Sequence, residues 1–147
     1  MDTTEKYIKM CEKATEIQGH KFILGDYFCY SEDKDYVYII TSTFDTQGGG
    51  TLLRGHSVNH KDIWDEKEVH SQFSDKPVWL PTQDQLQEMM YESPMSESTV
   101  QDMVGYLYKF AFEESHGIVS MEQLWLTFIM ESYHKKKWNG EDWVAVE

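Results

Sequence analysis

Ser120 to His134 reads SMEQLWLTFIMESYH. At the helical step of about 100° per residue, Leu124, Trp125, Phe128 and Ile129 fall on one face. Leu126, Met130 and Tyr133 fall on another. A surface helix of a globular protein carries one apolar stripe, and this one carries nearly two. Any fold that contains it must bury it on both sides or share one side with another molecule. Lys135, Lys136 and Lys137 follow, where cations meet the negative end of a helix dipole. WNGEDW comes next, with Asn139-Gly140 suited to a tight type I′ turn that brings Trp138 and Trp143 together. Leu126, Met130, Tyr133, Trp138 and Trp143 are therefore the candidate interaction residues.

Helix starts are marked three times in the C-terminal half. Thr82 with Gln85, Ser98 with Gln101, and Ser120 with Gln123 each match the reciprocal capping box. Val119 against Leu124 adds a hydrophobic staple to the third. In the second helix Val100, Met103, Val104, Leu107, Phe110 and Ala111 form a stripe. The spacing predicts that Leu124 and Phe128 pack against Val100, Val104 and Leu107.

The N-terminal half changes period. Tyr7, Met10, Cys11, Ala14 and Ile17 share one face of a helix expected over 3–18, capped by Asp2 with Glu5 reaching back and stopped by Gly19. GDYFCY and YVYIITSTF read as strands joined through SEDKD. DTQGGGT reads as a turn, TLLRG as a third strand, KDIWDEKEVH as a short helix and PVWL as one more strand or an extended lead-in. The expected fold is α+β in one domain, 1–147: an N-terminal helix, a small antiparallel sheet and a helical C-terminal half.

Charge and chemistry narrow the function classes. Acids outnumber bases 26 to 13, a formal charge of −13, which opposes nucleic-acid binding. No apolar run reaches the roughly 18 residues that span a bilayer. Asp2 and Glu5 stand where a secretory signal has its basic segment, and the two cysteines are far apart. These features point to a cytoplasmic protein with free thiols and no membrane or nucleic-acid partner. QGGGT lacks the lysine and following helix of a phosphate loop. His56, His60 and His70, near Asp62, Asp65 and Glu68, lack a recognised ligand spacing and read as surface histidines in a polar loop. There is no G-x-S-x-G and no C-x-x-C. No catalytic, metal or cofactor residue is expected.

VWLPTQDQLQEMM (Val78 to Met90) and SMEQLWLTFIMESYHKKKWNGEDWV (Ser120 to Val144) carry a further signal, with YIKMCEKATEIQ (Tyr7 to Gln18) beside them. These stretches resemble a family of small uncharacterised proteins encoded by phages and prophages of Gram-positive bacteria. The likeness covers both ends and the region after Pro77; the middle matches only in outline. It implies a phage-related origin and an intracellular site of action, and it brings no catalytic residue. Three functions follow from the sequence. The first is a non-enzymatic accessory protein that binds a host or phage protein, with a homodimer as one form. The second is an acidic nucleic-acid mimic that blocks a DNA-binding host factor. The third is an enzyme with its site in the central His/Asp segment.

Overall fold

A run of β-branched and aromatic residues in the N-terminal half and three amphipathic helical segments in the C-terminal half give this chain an α+β fold. The computed structural model describes residues 1–45, 51–60, 67–70, 77–91, 100–114 and 117–146. In chain order they form α1 (Glu5–Lys13), β1 (Tyr27–Tyr30), β2 (Asp33–Asp45), β3 (Thr51–Ser57), β4 (Lys67–His70) and β5 (Pro77–Leu80). Then come α2 (Gln83–Tyr91), α3 (Val100–Glu114), α4 (Met121–His134), β6 (Lys136–Trp138) and β7 (Trp143–Ala145). They fall into two compact units, Thr3–Leu80 and Pro81–Glu147, the second joined by Met1–Asp2.

The first unit is built on a five-stranded sheet of order β4-β3-β2-β1-β5, antiparallel at every pair. GDYFCY, YVYIITSTF, TLLRG and PVWL all supply strands, as expected. β1 and β2 form a hairpin turned by Ser31 and Glu32, with Tyr30 opposite Asp33. The short helix expected over KDIWDEKEVH does not reach the end of that segment. Lys61 to Glu66 lie outside the described residues, and Lys67 to His70 form the edge strand β4. The exposed backbone of β3 needs partners, and that demand outweighs a helical pattern made mostly of charges. DTQGGGT falls largely outside the described residues.

Both faces of the sheet are covered at β1, where Phe28 and Cys29 point opposite ways and both are fully buried. On one face Phe28 stacks on Tyr38 at 5.3 Å and meets Phe22 edge-on at 6.0 Å. Gly55 on β3 makes room for this pair: a Cβ there would lie 2.9 Å from the Phe28 ring. α1 packs against β5. Tyr7, Met10 and Cys11 on its stripe are buried, as the periodicity predicts, and Ala14 and Ile17, which follow the helix, are buried as well.

The bounds of α1 differ from the expectation. Thr4, not Asp2, caps it, accepting the Tyr7 N–H at 3.3 Å. The helix stops at Lys13, five residues short of Gln18, and turns carry the chain to Gly19. Gln18 is used otherwise. Its side-chain amide accepts from Trp79 N at 2.8 Å and donates to Trp79 O at 3.2 Å, occupying the edge of β5 as a neighbouring strand would.

The second unit is organised around α4, against which α2, α3 and β6 pack. Ser120 caps α4, its hydroxyl accepting the Gln123 N–H at 3.1 Å. The Gln123 side chain spans two partners, accepting from Val119 N at 3.4 Å and donating to Asp2 at 2.8 Å. Ser120 Oγ also donates to the same Asp2 oxygen. Asp2 therefore sits at the positive end of α4 rather than of α1, and Met1 pairs its terminal ammonium with Glu122 at 3.2 Å. The expected staple is not made, because Val119 is 77% exposed. At α2, Gln85 accepts the Thr82 N–H at 2.9 Å, one half of the predicted box. Ser98 lies outside the described residues.

Only one of the three lysines belongs to the end of α4. Lys135 takes the left-handed C-cap conformation, φ 54°, and its ammonium donates to Ser132 O at 2.7 Å. Lys136 and Lys137 have already entered β6, which pairs with β7. Trp138 and Trp143 do pair, with ring centres 5.1 Å apart. The connection is not a type I′ turn, because four residues separate the two tryptophans and φ is positive at Gly140 but not at Asn139. Asn139 Oδ1 instead accepts the N–H groups of Glu141 and Asp142, each at 2.9 Å. Its short side chain organises the loop as a local cap.

Candidate interaction surface

α4 meets the two-sided requirement inside the chain. Trp125, Leu126, Thr127, Phe128, Ile129 and Met130 are consecutive and buried, with Leu126 and Met130 at 0% exposure. Tyr133 is half-buried and donates its hydroxyl to Met90 O at 3.4 Å. Trp143 is buried and Trp138 half-buried, each against the other. The five candidate interaction residues thus gather along α4 and the hairpin that follows, and most of their apolar surface is taken up within the chain.

α3 shows the opposite pattern. Met103 and Leu107 are buried, and the Phe110 ring meets Phe128 at 5.2 Å. Val100 and Val104, expected to pack under Leu124 and Phe128, are 62% and 57% exposed. The helix turns its Met103–Leu107–Phe110 row to α4. That row offers longer and aromatic side chains, which fill space between helices better than two valines. The Val100–Val104 row, continued at i+4 steps, runs on through Tyr108 and Phe112, which are 74% and 82% exposed. The result is an apolar stripe on the solvent side of α3. Reading the helix as one broad stripe hid it. The signal lay in Tyr108 and Phe112, which no single core-facing arc can hold together with Met103 and Phe110.

Several of the described titratable groups make contacts within the first unit. His20 Nε2 lies 2.7 Å from Asp26 Oδ2, and the same oxygen accepts the Ile23 N–H at 2.7 Å. The imidazole stacks on Trp79 with centroids 3.7 Å apart. This Asp–His pair closes the segment from His20 to Asp26, and the stacked ring lays it against β5. Burial, reinforced by the Glu12 charge, pushes the Cys29 thiol up to about 12, so it is protonated at neutral pH and not nucleophilic. His56 lies in β3 rather than in a loop, and His60 packs on Tyr36 at 4.7 Å. The His70 backbone is in β4, and Asp62 and Asp65 lie outside the described residues. Among the described residues no group of three His, Cys, Asp or Glu could hold a metal ion. Among them too, no helix is long and apolar enough to cross a membrane.

One ion pair gives a pH-dependent expectation. Burial pushes the Glu12 carboxyl up, but hydrogen bonds from Lys34, at 2.6 Å, and from Ser31 outweigh it and hold the group below its ordinary value of 4.5. A carboxyl lowered in the folded state stabilises at pH above its unfolded value, and the effect is lost as pH falls through the folded one. Lys34→Ala should therefore lower the urea midpoint most at neutral pH. The gap to wild type should close as pH falls through the lowered folded-state value of Glu12, below its ordinary 4.5, where the carboxylate of the pair becomes protonated. A gap that stayed constant down to strong acid would show that the pair contributes nothing through charge.

An α+β protein with an apolar helix face left exposed among the described residues is the class these observations define. Comparison of the chain with family models, with curated proteins and with solved structures finds no match.

Proposed function

We propose that this is an intracellular accessory protein of phage or prophage origin that acts through protein–protein contact rather than by catalysis. The observation that carries the reading is the exposed row Val100, Val104, Tyr108 and Phe112 on α3. Two exposed aromatics and two valines in one row approach the several hundred Å² at which an apolar patch marks an interaction site. Exposed Tyr and Phe are what interface cores are enriched in. The likeness of the Val78–Met90 and Ser120–Val144 stretches to phage-encoded proteins supplies the setting. The strong acidity suits a protein that stays soluble while offering one apolar face.

The test uses the tagged full-length chain and a lysate of a Gram-positive host. Wild type should retain a specific protein that Tyr108→Glu with Phe112→Glu loses, while circular dichroism stays unchanged. Retention of the same protein by the double variant would remove α3 from the contact.

A further inference from the structure

The chain has two asparagines, Asn59 and Asn139, and glycine follows only the second. Glycine has no Cβ to shield its own backbone nitrogen. In the loop between β6 and β7 the atoms around Asn139 are arranged for attack by that nitrogen. Asn139, Gly140, Glu141 and Asp142 are all exposed. Asn139 Oδ1 accepts the N–H groups of Glu141 and Asp142, each at 2.9 Å. Two donors on one carbonyl oxygen polarise Cγ and stabilise negative charge that develops on the oxygen, as an oxyanion hole does. Among the described residues neither the Gly140 N–H nor Asn139 Nδ2 has a hydrogen-bond partner. The attacking atom and the leaving group are both unengaged, and the carbonyl between them is activated. Gly140 stands at φ 103°, which glycine holds without strain.

Asn59 is exposed too but is held differently. Its Nδ2 donates to Asp35 O at 2.6 Å, its Oδ1 accepts the Val37 N–H at 3.0 Å, and the residue after it is His60. Its leaving group is tied and its neighbouring nitrogen is shielded by a side chain.

We infer that Asn139 is a site of self-modification, in which the Gly140 nitrogen displaces the side-chain amide. The Gly140 N–H gives its proton to hydroxide or water. The N–Cγ bond forms, the Cγ–Nδ2 bond breaks, and Nδ2 takes a proton from water and leaves as ammonia. A five-membered succinimide ring remains. Water then opens the ring at either carbonyl. Opening at Cγ leaves an aspartate, and opening at the backbone carbonyl leaves an isoaspartate, with the main chain running through Cβ and Cγ. One water is consumed and one ammonia released, and nothing is oxidised or reduced. The aspartate keeps an acceptor for the two N–H groups but sets a new negative charge beside Glu141 and Asp142. The isoaspartate lengthens the main chain between Trp138 and Trp143, whose rings are 5.1 Å apart. The modification thus falls on the hairpin that holds two of the candidate interaction residues.

The experiment ages the full-length chain in mildly alkaline buffer, with circular dichroism showing that it stays folded, and follows it by mass spectrometry. Cleavage after Lys137 releases Trp138–Glu147, in which Asn139 is the sole side-chain amide. Cleavage after Arg54 and Lys61 releases a peptide in which Asn59 is the sole one. The Asn139 peptide should gain about one mass unit, or about three in heavy-oxygen water, because the new carboxyl oxygen comes from solvent. It should divide into two chromatographic peaks, one of which accepts a methyl group from isoaspartyl methyltransferase. The Asn59 peptide should keep its mass over the same period. A folded chain that gains nothing at Asn139 overturns the inference, and a gain confined to the urea-unfolded chain would show that the loop protects the residue. Equal gains at Asn59 and Asn139 overturn it too, since exposure alone would then decide. Aspartate without isoaspartate would mean direct hydrolysis and would exclude the ring.

Discussion

Gly55→Val should cost roughly 3 kcal/mol or more and lower the urea midpoint accordingly, although strand propensity argues the other way. Valine is a strong strand former and glycine a poor one, a difference of up to about 1 kcal/mol in a host sheet. At this position sterics decide. The added Cβ would lie 2.9 Å from two atoms of the Phe28 ring and 3.0 Å from Tyr38 Cβ. Neither neighbour can give way easily. Phe28 is fully buried, stacks on Tyr38, and is held by Phe22 and Tyr30 edge-on. Overpacking a filled core by one or two groups costs about 1–3 kcal/mol, occasionally more, and valine adds three carbons. The double variant Gly55→Val with Phe28→Leu supplies the control. If the ring is what the methyls strike, the second change should recover part of the loss, and the two effects should be strongly non-additive. A single variant as stable as wild type would show that the sheet face is loosely packed there.

What could be read in the sequence follows the range of the forces involved. Capping at Ser120 needs only a few neighbouring residues, so it was legible, as was the stripe of α1. The strands YVYIITSTF and PVWL were legible because β-branched and aromatic runs fit a pleated surface. Asp2 was misplaced because its partners, Ser120 and Gln123, are at the far end of the chain. A local capping pattern competed with a distant one, and the distant one won. β4 was misread because its pairing with β3 outweighed its weak local pattern. The interaction surface shows the same limit. Both α3 and α4 carry more apolar surface than one stripe, and sequence cannot say which of them the other elements cover. α2 and β6 pack on α4 together with α3, which leaves the far side of α3 open among the described residues.

That asymmetry makes Phe128→Ala and Phe112→Ala a decisive pair. Phe128 is buried on α4, with Phe110 at 5.2 Å and Trp125 edge-on at 6.0 Å. Removing its ring loses the transfer energy and leaves a cavity between two aromatic neighbours. That should cost roughly 3–5 kcal/mol, a large part of the 5–15 kcal/mol about which domains of this kind balance. Phe112, twelve residues after Val100 on the exposed row of α3, has the same side chain and no cover. At concentrations where the chain stands alone, Phe112→Ala should change the free energy of unfolding by less than about 0.5 kcal/mol, since an exposed site away from caps and cores leaves no cavity. Urea unfolding of the two variants beside wild type measures both. Equal losses would mean that Phe112 is buried in solution at working concentration, as it would be in a dimer. Repeating the Phe112→Ala measurement at lower protein concentration then separates the causes, because a loss that arises from a broken dimer shrinks on dilution while a loss of internal packing does not.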